Sequence, residues 1–147
     1  SMEVIAFADY HSENSTEFAS FPKHCIAGTS ESLIVDELKR IGGYQLIPKN
    51  STNGFHAPKF QEFIKEKQDR DVFIVTGDCT DICVINFCIS LKTYFDEHNM
   101  KKEIILPIDC VETYDGDGHD AELMNIVAIK LMENAGIKVV RSVVTNE

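Results

Sequence analysis

No stretch of this chain is apolar for the roughly 20 residues that a membrane-spanning helix needs. The start shows no basic segment followed by an apolar run and a small-residue cleavage site, the mark of a secretory leader. Positive charge is scarce: 14 Lys and Arg stand against 24 Asp and Glu, a formal net charge of −10. Such a surface repels phosphate backbones, so neither nucleic acid nor a membrane is an expected partner. The five cysteines are an odd number, with no spacing that reads as a disulfide framework. A reducing, cytoplasmic setting is expected for them. No repeat, linker or low-complexity stretch divides residues 1–147, so a single domain with a sizeable core is expected.

What is present is an alternation of strand and helix. Glu3–Ala8, Tyr44–Pro48, Val72–Thr76, Glu103–Ile108 and Ile137–Val140 read as short buried strands. Glu31–Ile41 carries Leu33, Ile34, Leu38 and Ile41 at helical spacing, with Ser30 as cap and Gly42-Gly43 as stop. Pro58–Lys67 is a helix with Phe60, Phe63 and Ile64 on one face, and His119–Asn134 is another. Strands buried on both faces and joined by helices predict an α/β fold, a parallel sheet with helices on both sides.

The richest stretch is Val75-Thr76-Gly77-Asp78-Cys79-Thr80-Asp81-Ile82-Cys83-Val84. A strand ends in glycine and a cysteine follows on the first turn of a helix, with Thr80 as the expected cap. The helix then buries Val84, Phe87, Cys88, Leu91 and Phe95. A helix N-terminus favours thiolate over thiol, and its N–H groups can hold an oxyanion. In open α/β sheets chemistry gathers beyond the carboxyl ends of the strands. Those ends carry Asp9-Tyr10-His11, Pro48-Lys49, the Cys83 turn and Asp109-Cys110. Asp9 and His11 point the same way in an extended segment. With Glu17 and His24 they offer two imidazoles and two carboxylates, a set that suits Zn²⁺, Fe²⁺ or Mn²⁺. Asp115–Asp120 lacks the glycine and closing glutamate of a calcium loop and reads as a solvated turn. His56, His98 and His119 read as surface histidines. Cys25, Cys79, Cys88 and Cys110 read as packing residues.

The chain resembles the isochorismatase-like cysteine hydrolases, and within them the nicotinamidase/pyrazinamidase branch. Gly77-x-x-Thr80-Asp81-x-Cys83-Val84 is similar to the family's cysteine signature. Asp9-x-His11 with Phe21-Pro22-x-His24-Cys25-x-x-Gly28-Thr29 resembles the branch's metal stretch. Lys49, a few residues before Phe55, resembles the family's lysine. The resemblance implies a doubly wound, three-layer α/β/α, Rossmann-like fold. It implies Cys83 as nucleophile, Lys49 as support for the thiolate, and an oxyanion hole from the N–H groups of Cys79 and Cys83. It implies a divalent metal, zinc foremost, held by Asp9, His11, His24 and Glu17. Glu17 matches a carboxylate that some members carry seven residues before the second histidine. Phe55 is a weaker substrate-binding candidate, and a cis peptide is implied at Asp78–Cys79. The implied reaction deamidates nicotinamide, or a close aromatic amide, to the acid and ammonia through a thioester, a step of NAD salvage.

One departure stands out. The family's triad aspartate ends a first strand, and Glu3–Ala8 matches the second. A first strand and helix, about 40 residues in a doubly wound unit, are therefore expected to be missing. No residue of this chain is the triad aspartate, and Asp109 is the nearest substitute. The missing segment is expected from a cleaved fragment, a partner chain or a swapped subunit, or to lie outside these 147 residues. A homo-oligomer is open, as are two other readings: hydrolysis of another small amide or carbamoyl compound, and a non-catalytic metal-binding role.

Overall fold

The computed structural model describes residues 2–144, and they divide into two compact units that meet in sequence after Ile64. The first unit starts with strand β1 (Ile5–Asp9), followed by an irregular stretch with 3-10 turns at Thr16–Ala19 and Ser30–Ser32. Helix α1 (Asp36–Ile41) leads into strand β2 (Gln45–Lys49), and a 3-10 turn at Gly54–His56 precedes helix α2 (Pro58–Glu66). β1 and β2 are parallel, with Ile5 opposite Gln45 and Asp9 opposite Lys49. Ile47, Ala57, Phe60 and Ile64 form the buried centre, and the Phe7 ring meets Phe60 edge-on at 5.4 Å. Gly54 is buried against that ring: a Cβ there would stand 2.9 Å from Phe7 Cδ1.

The second unit contains strands β3 (Val72–Ile74) and β4 (Gly77–Asp78), a turn at Thr80–Val84, and helix α3 (Ile85–Glu97). Then come strands β5 (Glu103–Pro107) and β6 (Val111–Glu112), helix α4 (Ala121–Asn134) and strand β7 (Lys138–Val140). The ladder β3–β5–β7 is parallel throughout, and β4 pairs with β6, Asp78 opposite Glu112. The core is one face of α3 (Val84, Cys88, Leu91, Phe95) closed by Ile104, Leu106, Ala128, Met132 and Ile137. The helical period singled out these α3 positions and Phe87, which is half-buried.

The α/β class with parallel pairing holds, and three sequence expectations are corrected. The helix expected over Glu31–Ile41 shrinks to α1, because Leu33 and Val35 take extended backbone. The run Leu33-Ile34-Val35 contains two β-branched residues, which disfavour helix. Leu33, Leu38 and Ile41 are exposed, so no packed face offsets that preference. Second, not every strand is buried on both faces: Val72 and Ile74 of β3 are 51% and 41% exposed. Third, the strand expected over Val72–Thr76 ends at Ile74, and Gly77–Asp78 pairs separately with β6 in two-residue strands that leave no period to detect. Among the described residues the strands form three separate ladders, β1–β2, β3–β5–β7 and β4–β6.

Candidate active site

Gly77 takes a positive φ of 122°, and the Asp78–Cys79 peptide is cis, at the bond the resemblance implied. Cys79 is extended and caps the turn that follows, which corrects the expectation for Thr80. Thr80 is drawn into the turn instead, and its fully buried hydroxyl finds no partner among the described residues. The turn Thr80–Val84 is wound as a π-helix: Val84 N donates to Cys79 O at 3.1 Å, and Ile85 N to Thr80 O. Wide turns of this kind recur at functional sites, because one extra residue per turn re-aims the side chains. Half-buried Cys83 stands within it. Cys79 and Cys83 thus share one backbone turn.

The other cysteines separate by environment. Burial pushes the Cys88 thiol up to about 12, so it stays protonated and unreactive. Cys25 is half-buried, and its thiol donates to Glu31 O at 3.3 Å. Cys110 is exposed, which corrects its assignment to packing. Its thiol donates to Asp109 Oδ1 at 3.3 Å, and that contact raises its pKa. Asp109 lies in the 3-10 turn Ile108–Cys110, where its N–H donates to Arg141 O.

The first unit gathers the residues named for a metal. His11 is fully buried, and its Nε2 lies 3.1 Å from His24 Nε2 and 3.5 Å from both Asp9 Oδ1 and Glu17 Oε1. One ligand atom each from Asp9, His11 and His24 fall within 4.8 Å of one another. Two nitrogens on one tetrahedral zinc at about 2.0–2.1 Å stand about 3.3 Å apart, so the imidazole pair has the right spacing. His24 Nδ1 donates to Pro22 O at 2.7 Å, which fixes the tautomer and leaves Nε2 as a lone pair aimed at His11. The donor set fits a divalent cation. Glu17 is tied on its other oxygen, which accepts Thr52 N at 2.6 Å.

Lys49 is buried, ion-paired with Asp9, its partner in the β1–β2 register, and it donates to Ser51 O at 3.1 Å. Phe55 lies in the turn Gly54–His56, its N–H held by Asn53 Oδ1 at 3.0 Å and its ring 5.9 Å from that of Phe60.

Sequence reasoning missed one cluster. Asp81, two residues before Cys83, accepts the Thr113 hydroxyl at 2.6 Å and faces His119 Nε2 at 2.8 Å. His119 is therefore no solvated surface histidine. Its Nδ1 meets Tyr114 O at 2.8 Å, and its ring stacks on Tyr114 at 4.0 Å. The loop Gly116–His119 closes as a tight antiparallel bridge, in keeping with the turn expected there. Asp81 and His119 are 38 residues apart, so no spacing signal could have joined them.

Residues 1–141 match the family described as Isochorismatase domain. The chain belongs to the isochorismatase family. A curated relative in this family, nicotinamidase 1 of Arabidopsis thaliana, is 30% identical over 163 residues. That match takes in 95% of this chain but 66% of the relative, so the chain spans about two thirds of that protein's length. The nicotinamidase from Bacillus subtilis superposes with a TM-score of 0.72 at 19% identity, over 94% of this chain and 74% of that one. The N-carbamoylsarcosine amidase from Thermoplasma acidophilum gives 0.74 at 18% identity, over 99% and 76%. Both superpositions show the isochorismatase-like fold.

Proposed function

We propose that this chain carries the thiol and the metal site of a cysteine amidohydrolase that deamidates nicotinamide or a close aromatic amide. One observation carries the reading: the Asp9–His11–His24 cluster, with Glu17 beside it, in a chain that also bears the family's cysteine turn. The nicotinamidase relative supports the choice of substrate. Cys83 Sγ, as thiolate, attacks the amide carbon, and the N–H groups of Cys79 and Cys83 hold the oxyanion. The C–N bond breaks, ammonia leaves with the proton first taken from the thiol, and a thioester remains. Water then adds, the acid departs, and the thiol proton is restored. Lys49 is the residue assigned to support the thiolate. Asp9, His11, His24 and Glu17 would hold a divalent metal, and two imidazoles with two carboxylates suit Zn²⁺, Fe²⁺ or Mn²⁺, zinc foremost by resemblance to the family. When bound, a divalent metal there would anchor the pyridine nitrogen of nicotinamide and so orient the substrate, a proximity role rather than Lewis-acid attack.

The acid of the triad has no counterpart assigned among these residues. We propose that a strand carrying it is supplied from outside residues 1–147.

The test is ammonia release from nicotinamide, with Cys83→Ser as the blank. Release that vanishes in the blank supports the reading. Equal release from both samples overturns it. Turnover of small carbamoyl compounds and none of nicotinamide would favour the second reading, for which the amidase superposition speaks.

A further inference from the structure

The Asp81–Thr113–His119 cluster belongs to the second unit and takes no part in the metal site. His119 Nδ1 faces a carbonyl oxygen, Tyr114 O, and Nε2 faces a carboxylate oxygen, Asp81 Oδ2, both at 2.8 Å. Neither acceptor carries a proton, and a neutral imidazole has only one N–H. Both contacts are made together only by an imidazolium. A proton shared between a carboxylate and an imidazole resides on the imidazole, the stronger base by more than about two pKa units. The remaining Asp81 oxygen accepts from Thr113 Oγ1 at 2.6 Å, so each carboxylate oxygen has a partner. The pair is partly covered, with side chains 6% (Asp81) and 15% (His119) exposed.

Asp81 shares the π turn with Cys83. A lone carboxylate in that turn opposes formation of a thiolate two residues away. We propose that His119, as an imidazolium, is a positioning residue for Cys83: it cancels the Asp81 charge and ties the nucleophile's turn to the hairpin that precedes α4. This inference rests on Cys83 being the nucleophile.

The charged groups facing His119 are Asp81 from the cysteine turn and Asp115 from its own hairpin. The Asp81 hydrogen bond holds the His119 proton above the usual imidazole range, against partial burial, and the Tyr114 carbonyl and Asp115 add to it. Burial works against the Asp81 charge, but the Thr113 hydroxyl and His119 outweigh it and keep its pKa below the usual carboxylate range. The sign follows. The imidazolium is complete below the ordinary imidazole pKa and is lost as pH rises through the raised one. Support of the Cys83 thiolate is lost over that same interval.

The experiment measures iodoacetamide alkylation at Cys83, mapped by tandem mass spectrometry, from about pH 5.5 to 9.5 to span the imidazole titration. Native protein, His119→Ala and the double variant Asp81→Asn/His119→Ala are compared. Near pH 7, His119→Ala is expected to slow Cys83 about three- to fivefold, the scale of one partly exposed ion pair. The double variant, with the carboxylate charge removed, is expected to recover most of that loss. Loss of a merely structural contact would not be repaired by a second deletion. The native and His119→Ala rates should converge above the pH at which the His119 ring titrates by NMR. Equal Cys83 rates in native and His119→Ala protein overturn the inference and leave the nucleophile reading intact. A Cys83 no faster than exposed Cys110 overturns both. If His119→Ala does not fold, the native ring titration decides, and a His119 that titrates at or below the ordinary imidazole value overturns the inference.

Discussion

Cys83 and Cys88 are five residues apart and chemically opposite. Cys88 lies on the buried face of α3, where burial disfavours the thiolate, and its pKa climbs to about 12. Cys83 sits one turn earlier, where the backbone is opened into a π turn at the start of the helix. Position on one short segment thus separates a packing thiol from the one proposed here as the nucleophile. Brief treatment of the folded protein with iodoacetamide at neutral pH should label Cys83 and exposed Cys110 and leave Cys88 unmodified until denaturant is added. Peptide mapping checks this, and labelling of Cys88 in the native state would contradict its burial. His11 makes the same point for the metal site. A fully buried imidazole stands among two carboxylates and a second imidazole, of which Asp9 is also paired with Lys49, and only the fold brings these groups together.

At the scale of elements, the first unit depends on how closely a turn can approach a strand. Gly54 opens the 3-10 turn before α2, and the face of Phe7 from β1 fills the space that a side chain would take. That contact seats Phe55 and the start of α2 over the β1–β2 ladder. Gly54→Ala puts a methyl group 2.9 Å from the Phe7 ring. The ring or the turn must shift, at a cost of about 1–3 kcal/mol. The expected result is a lower urea midpoint for the variant, and an unchanged midpoint would show that the ring moves freely. In the second unit the cysteine turn is braced instead by polar ties. Asp81 reaches Thr113 and His119, while Glu112 accepts Thr113 N at 2.9 Å and Asn125 of α4 at 2.6 Å.

For the molecule as a whole, the net charge of −10 and the clustered acids and imidazoles both favour cation binding. A ligand that binds the native state alone raises stability by about 2.7 kcal/mol at a hundred times its Kd. Removal of metal with a chelator should therefore lower the melting temperature, and added Zn²⁺ should restore it. In His24→Ala protein neither treatment should have much effect. Differential scanning fluorimetry with elemental analysis measures both. A native melting temperature indifferent to chelator and zinc would remove the metal from the reading.

What the sequence by itself determined is what period and local chemistry encode. The α/β alternation, the buried face of α3, the parallel strands and the turn presenting Cys83 all follow from apolar spacing and from Gly77 at the end of a strand. The local cluster Asp9–His11 is a two-residue repeat in an extended segment, visible without any fold. Tertiary structure alone decided which distant residues meet. It brought Lys49 against Asp9 through strand register and laid His24 beside His11. It paired Asp81 with His119 across 38 residues of chain. It also shortened the helix at α1 and left Cys110 exposed, because burial is a property of neighbours and not of residue type. Spacing records only contacts within a turn or a strand. Long-range pairing depends on where the strands place their ends, and no local pattern carries that information.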